Sequence, residues 1–241
     1  MDFIFLNLIP KEMNLNKLTL SFVGSSAGLE AHYRNHFKNQ TLVQTRISFG
    51  MGALLYAIFG ILDAIVVPEH AHVTWLIRAA VVVQCVSSLF AVYIFPRLRN
   101  HLQPIFFLII VNGGLGIVSM IVYIPEPFSF YYYAGLILVL MFAYSFICLR
   151  FTLASLSGWI VVAMYNVGAY LIRMPAPEVI NNNFFLISAN IFGMLYCYLF
   201  ELMNRRNFYL ARLLEQEQRT IVEMSREAGM AEVATGVLHN V

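Results

Sequence analysis

Six apolar runs, each about long enough to cross a bilayer, constrain this chain more than any other feature. They occupy residues 47–67, 75–95, 104–124, 128–148, 151–172 and 184–203. A hydrocarbon core of about 30 Å needs roughly 20 apolar residues in helix. Backbone polar groups in lipid must be satisfied internally, which leaves helices or closed barrels. Barrel strands alternate apolar and polar residues, and these runs are continuously apolar and longer than such strands. The expected fold is therefore all-α, a polytopic membrane protein with six transmembrane helices. Composition agrees. Charged residues make up 12% of the chain and hydrophobic ones 60%, against about 25% charged in a soluble domain.

Lys and Arg set the expected topology, because cytoplasmic loops carry their excess. Lys11, Lys17, Arg34, Lys38 and Arg46 precede the first run; Arg97 and Arg99 follow the second, and Arg150 follows the fourth. Arg205, Arg206, Arg212, Arg219 and Arg226 lie after the sixth. The alternate loops, 68–73, 125–127 and 173–183, hold one basic residue, Arg173. Both termini are thus expected in the cytoplasm. The first ten residues place no basic residue before their apolar stretch, which argues against a cleaved signal peptide. The net charge of +2 is too small to point to nucleic acid. Cys85, Cys148 and Cys197 all fall in apolar runs and read as buried free thiols. The far loops are short, so a signal must arrive through lipid, sit between helices, or act on the bilayer itself.

The two ends are polar. Residues 25–46 read as an interfacial helix feeding the first span, its basic residues near anionic headgroups. After the sixth span, Leu210, Leu214, Glu217, Ile221, Met224, Ala228, Ala231, Thr235 and Leu238 recur at alternating steps of four and three. Such a heptad seam predicts a parallel dimeric coiled coil, hence a homodimer. Glu217, the Ala and Thr positions, Gly229 and Gly236 weaken it. A weak seam suits a stalk that changes packing, though a plain dimer stalk needs no such role.

Several residues stand out against this background. Asp63 and Arg78 lie near the far ends of spans one and two, at a depth where they could pair as a clamp or as a ligand- or proton-sensitive site. Asn112, Asn166 and Asn190 lie deeper; with Gln84 and Ser87 they read first as interhelical hydrogen-bond glue and second as ligand contacts. Tyr132 belongs to the aromatic cluster 128–133, either an anchoring belt or one wall of an apolar pocket. Gly113, Gly114 and Gly116 suggest close helix packing. His70 with His72, and His32 with His36, have metal-like spacing but no nearby Cys, and no metal is expected. No phosphate-binding glycine loop or zinc-protease motif is present in the sequence. His239 follows the seam residue Leu238, which sets it on a helix flank beside the dimer core. There an exposed imidazole is a good phosphoryl acceptor, although on spacing alone a lone His on a helix reads first as a solvated side chain.

Two resemblances extend this reading. Residues 227–241, Glu-Ala-Gly-Met-Ala-Glu-Val-Ala-Thr-Gly-Val-Leu-His-Asn-Val, resemble the start of the dimerisation and phosphoacceptor helix of sensor histidine kinases. They are closest to the variant group in which Asn follows the acceptor His. The resemblance implies that His239 is the phosphoacceptor. Asn240 stands where the common pattern has an acidic proton acceptor, and an amide cannot act as a base. It further implies a downstream ATP-binding domain using ATP and Mg²⁺, and a response regulator as partner; this chain itself is expected to hold no cofactor and to be inactive alone. The second resemblance rests on 33–37 (Tyr-Arg-Asn-His-Phe), 44–46 (Gln-Thr-Arg), 55–63 (Leu-Tyr-Ala-Ile-Phe-Gly-Ile-Leu-Asp), 132–136 (Tyr-Tyr-Ala-Gly-Leu) and 182–190 (Asn-Asn-Phe-Phe-Leu-Ile-Ser-Ala-Asn). These pieces look like a six-helix bacterial sensor module found on histidine kinases, class III adenylyl cyclases and diguanylate cyclases.

The expected organisation is a cytoplasmic segment (1–46), a membrane sensor domain (47–203), a signalling coiled coil (204–228) and the start of a phosphoacceptor helix (229–241). The expected location is the bacterial inner membrane, and the expected signal is an apolar or amphipathic small molecule. The competing readings are a module regulating another output, such as a nucleotide cyclase, and a stand-alone dimeric receptor. A transporter fits less well, because no inverted repeat or broken-helix pair is visible.

Overall fold

The structure, a computed structural model, describes Pro10 and residues 13–239, with the side chains of 39–43 and 231–239 outside that description. It is all-α. The main helices are α1 (Leu29–Val66), α2 (Ala71–Ile94), α3 (Leu102–Tyr123), α4 (Tyr133–Ser145), α5 (Phe151–Leu171) and α6 (Ala176–His239). Six segments among the described residues are long and apolar enough to cross a membrane.

Proline ends most of the spans. The residue before a proline is driven out of the helical region. α1 accordingly gives way at Val67 before Pro68, α2 at Phe95 before Pro96, and α3 at Ile124 before Pro125. The α5–α6 turn pairs Arg173 at φ 53° with Pro175. The α4–α5 turn has no proline and is held by side chains instead. Gln103 Nε2 donates to the Cys148 carbonyl at 2.7 Å, and Gln103 Oε1 accepts from Arg150 N at 2.9 Å.

The helix expected to feed the first span forms from Leu29 and runs into it without a break, since no Gly or Pro interrupts 29–46. Two other element boundaries differ from the sequence expectation. The loop placed at 173–183 shrinks, since α6 begins at Ala176 and Asn181–Asn183 are helical. Their low hydropathy hid a helical start that Pro177 and Glu178, both favoured in a first turn, announce. The span placed at 128–148 divides into a 3₁₀ turn, Phe128–Tyr131, and the 13-residue α4.

α3 is the centre of the bundle, with 56% of its apolar stretch buried, against 22% for α1 and α2. It packs on α2, α4 and α5, while α6 lies against α4 and α5. α1 packs along α2 and approaches the rest of the bundle through single side chains. The α3–α5 contact depends on missing side chains. A Cβ at Gly114 would meet Val161 Cγ2 at 2.7 Å, and one at Gly168 would meet Val118 Cγ1 at 2.8 Å. α6 leaves the bundle near Phe208, defining a stalk side; the turns at 67–70, 124–132 and 172–175 form the far side. On the stalk side, Met13, Phe22, Tyr33 and Phe208 make a second small core, closed by the bridge between Leu15 and Phe22.

A matched pair of substitutions checks this packing. Gly114→Leu is expected to destabilise the bundle by about 1–3 kcal/mol through overpacking. Gly113→Ala, whose Cβ meets nothing within 4 Å, is expected to be neutral. Melting temperatures in one detergent are the measurement.

Candidate functional site

A cavity of about 500 Å³ opens in the half of the bundle where α1 stands away from α4. α2 and α3 form its back wall, through Val81, Cys85, Ile110 and Ile117. Phe59 and Leu62 line it from α1, and Leu138 and Val139 from α4. The wall is apolar except at the far-side end, where Asp63, Arg78 and Tyr132 meet.

That polar end is built from three helix ends. Arg78 Nε and Nη2 donate to the two oxygens of Asp63 at 2.6 and 2.8 Å. The Tyr132 hydroxyl donates to Asp63 Oδ1 at 2.9 Å. Arg78 also reaches the Tyr56 carbonyl at 3.5 Å and faces the rings of Tyr56 and Phe59. Nearby, Trp75 Nε1 donates to the Gly60 carbonyl at 2.7 Å, fixing α2 to α1. The bidentate geometry suits the planar guanidinium. The pair is buried in the bundle, with side-chain exposures of 10% for Arg78 and 2% for Asp63. An isolated charge at that position would be costly, so each residue is held by the other.

A second polar centre lies on the stalk side. The Arg205 side chain is fully buried and donates to Glu30 Oε2 at 2.7 Å and to Glu201 Oε1 at 2.9 and 3.0 Å. Its guanidinium lies 4.3 Å from the Tyr33 ring centre and 5.3 Å from that of Phe22. Arg150 completes the cluster, 3.5 Å from Glu30 and 3.8 Å from Glu201. Glu201 Oε2 accepts from the Phe151 amide at 2.6 Å, capping the start of α5. Burial raises the Glu30 pKa, but bonds from Arg205, the Phe22 amide and Arg34 outweigh it and hold the carboxyl down at about 2. Burial pushes the Tyr33 phenol above its ordinary range.

Of the six membrane residues named from the sequence, Asp63, Arg78 and Tyr132 come together in the cavity. Asn166 and Asn183 exchange reciprocal bonds at 2.9 Å between α5 and α6. Asn190 accepts from the Tyr144 hydroxyl at 2.7 Å between α6 and α4. Asn112 is half-buried on α3, outside the cavity lining. His239 ends α6 with its side chain outside the described ones, and Asn240 lies outside the described residues. The sequence reading missed Tyr56, whose hydroxyl donates to the Gly113 carbonyl at 2.9 Å and joins α1 to α3. It also missed the Glu30–Arg150–Glu201–Arg205 cluster. The i, i+4 spacing of Glu201 and Arg205 is the available signal, while the charge pattern reads Arg150 and Arg205 only as topology.

The MASE8 family model matches residues 61–215, from the far-side end of α1 to the emerging stalk. The chain belongs to the MASE8 family. It is therefore a membrane-associated sensor domain. The matched region contains Asp63, Arg78, Tyr132, Arg150, Glu201 and Arg205, and stops short of His239. No curated protein and no solved structure matches the chain.

The far-side ion pair makes a specific demand. Asp63→Ala strands Arg78 without its partner and is expected to destabilise the MASE8 bundle by about 3–5 kcal/mol. Asp63→Leu with Arg78→Leu is expected to recover most of that loss. Unfolding followed by tryptophan fluorescence in detergent measures both.

Proposed function

We propose that this chain is the signal-receiving part of a dimeric sensor histidine kinase of the bacterial inner membrane. The observation that carries the proposal is α6, a single helix of 64 residues. At 1.5 Å per residue it is about 95 Å long. It starts at the far-side turn, runs through the bundle past Asn190, Glu201 and Arg205, and ends at His239 without a break.

The emerging part of α6 supports dimerisation. Leu214, Ile221 and Met224 of the seam are each more than half exposed, on a helix that has left its bundle. Apolar side chains at heptad spacing find cover in a second copy of the same helix. The distribution of Lys and Arg favours placing the stalk side, with both termini, in the cytoplasm.

In this reading, a catalytic domain outside these 241 residues, using ATP and Mg²⁺, moves the γ-phosphoryl group of ATP onto an imidazole nitrogen of His239. A response regulator then takes the phosphoryl group. Asn240 cannot remove the imidazole proton, so that task falls to another group or to solvent. The bundle's part is to set the register of the two stalk helices. A short change at a packed helix interface is the kind of motion such stalks transmit.

Full-length kinase carrying this chain is expected to acquire acid-labile phosphate that His239→Gln abolishes. Equal labelling of the His239→Gln protein would remove His239 from the reaction and leave the module to a different output.

A further inference from the structure

Three properties of the cavity together specify an occupant. It is large enough, since about 500 Å³ falls within the range of small-molecule sites. It opens sideways. Leu62 on α1 and Leu138 and Met141 on α4 line it and are also exposed on the apolar outer surface of the bundle, where lipid would lie. And it is polar at one end only, where the charges of Asp63 and Arg78 cancel. Along α1 the lining extends from Asp63 to Gly52. Eleven helical steps span about 16 Å, roughly half of a 30 Å hydrocarbon core.

We propose that this cavity binds a single-chain amphipath with an uncharged, oxygen-bearing head, which enters from the bilayer between α1 and α4. A hydroxyl head donates to Asp63 and accepts from Arg78, both of which line the cavity. Asp63 and the Tyr56 carbonyl engage three of the five N–H groups of Arg78. The acyl or alkyl chain then lies against Phe59, Ile110 and Leu138. An uncharged head follows from the pairing. A carboxylate would place a second anion beside Asp63, and an ammonium a second cation beside Arg78, each without a counter-charge of its own. A phospholipid is disfavoured for the same reason. The site belongs to the bundle, so its occupancy stands or falls separately from phosphorylation of His239.

The test uses the chain in phosphatidylcholine nanodiscs and a radiolabelled long-chain primary alcohol carrying a diazirine in its tail. Irradiation is expected to label α1 and α4 saturably. Ala134 lines the cavity and is itself exposed, so Ala134→Trp adds bulk there without displacing buried core. This variant is expected to cut saturable labelling by about tenfold or more. Leu138→Trp, at the opening, is expected to do the same and serves if Ala134→Trp does not give monodisperse protein. Unlabelled alcohol is expected to compete about tenfold better than a fatty acid or an alkyl trimethylammonium of equal chain length. Labelling that fails to saturate, or that persists in a well-folded Trp variant, marks ordinary lipid contact and overturns the site. Equal or better competition by the fatty acid or the ammonium overturns the uncharged head.

Discussion

A bilayer core supplies no hydrogen-bond partners, so every polar group placed there must bring its own. This constraint shapes α1. The helix is stapled at both ends by ion pairs, Asp63 to Arg78 on the far side and Glu30 to Arg205 on the stalk side. Between the staples it leans on α2 and meets α3 and α4 mainly in its stalk-side half, where Tyr56 and Ser48 bond across, Phe49 stacks on Phe106 and Gly52 lies against Phe142. The cavity occupies the gap that this arrangement leaves. With 38 residues, about 57 Å at 1.5 Å per residue, α1 links the cavity wall to the root of the stalk.

The two staples also suggest how a bundle whose described far-side turns are short could pass on a signal. Asp63 and Glu30 lie on one continuous helix, so in the proposed relay a tilt of α1 at the cavity would reach Glu30. Glu30 bonds to Arg205 on α6, and Arg205 is also tied to Glu201 and, through the cluster, to Arg150 at the start of α5. Buried ion pairs of this kind contribute little net stability, because desolvation offsets most of the attraction. Their value here is geometric. They tie α6 to α1 and to the start of α5 in one defined seating.

Much of the fold could be read from the apolar runs and prolines. The pairing of Asp63 with Arg78 was legible too, because two opposite charges on adjacent spans joined by a short loop have few other partners in lipid. The rest was hidden for physical reasons. Asn181, Asn182 and Asn183 look like a loop until Asn166 and the Phe130 carbonyl are seen to satisfy two of them. The Arg205 cluster draws on residues 30, 150, 201 and 205, and no local pattern links chain segments so far apart. The cavity is a gap between α1 and α4, and a gap leaves no motif. Only the aromatic entry to span four, with Tyr132, hinted at a pocket wall.

In the proposed kinase, α6 would carry the state of the bundle to His239 through helix register. A seven-residue insertion in the stalk preserves the seam, whereas a four-residue insertion rotates it. The direct measurement is His239 phosphate in full-length kinase, compared between native Glu30 and Glu30→Gln, with each insertion placed after Glu217. The account predicts that Glu30→Gln alters phosphorylation, that the seven-residue insertion keeps that difference, and that the four-residue insertion abolishes or inverts it. Phosphorylation indifferent to Glu30 and to both insertions would contradict a register relay.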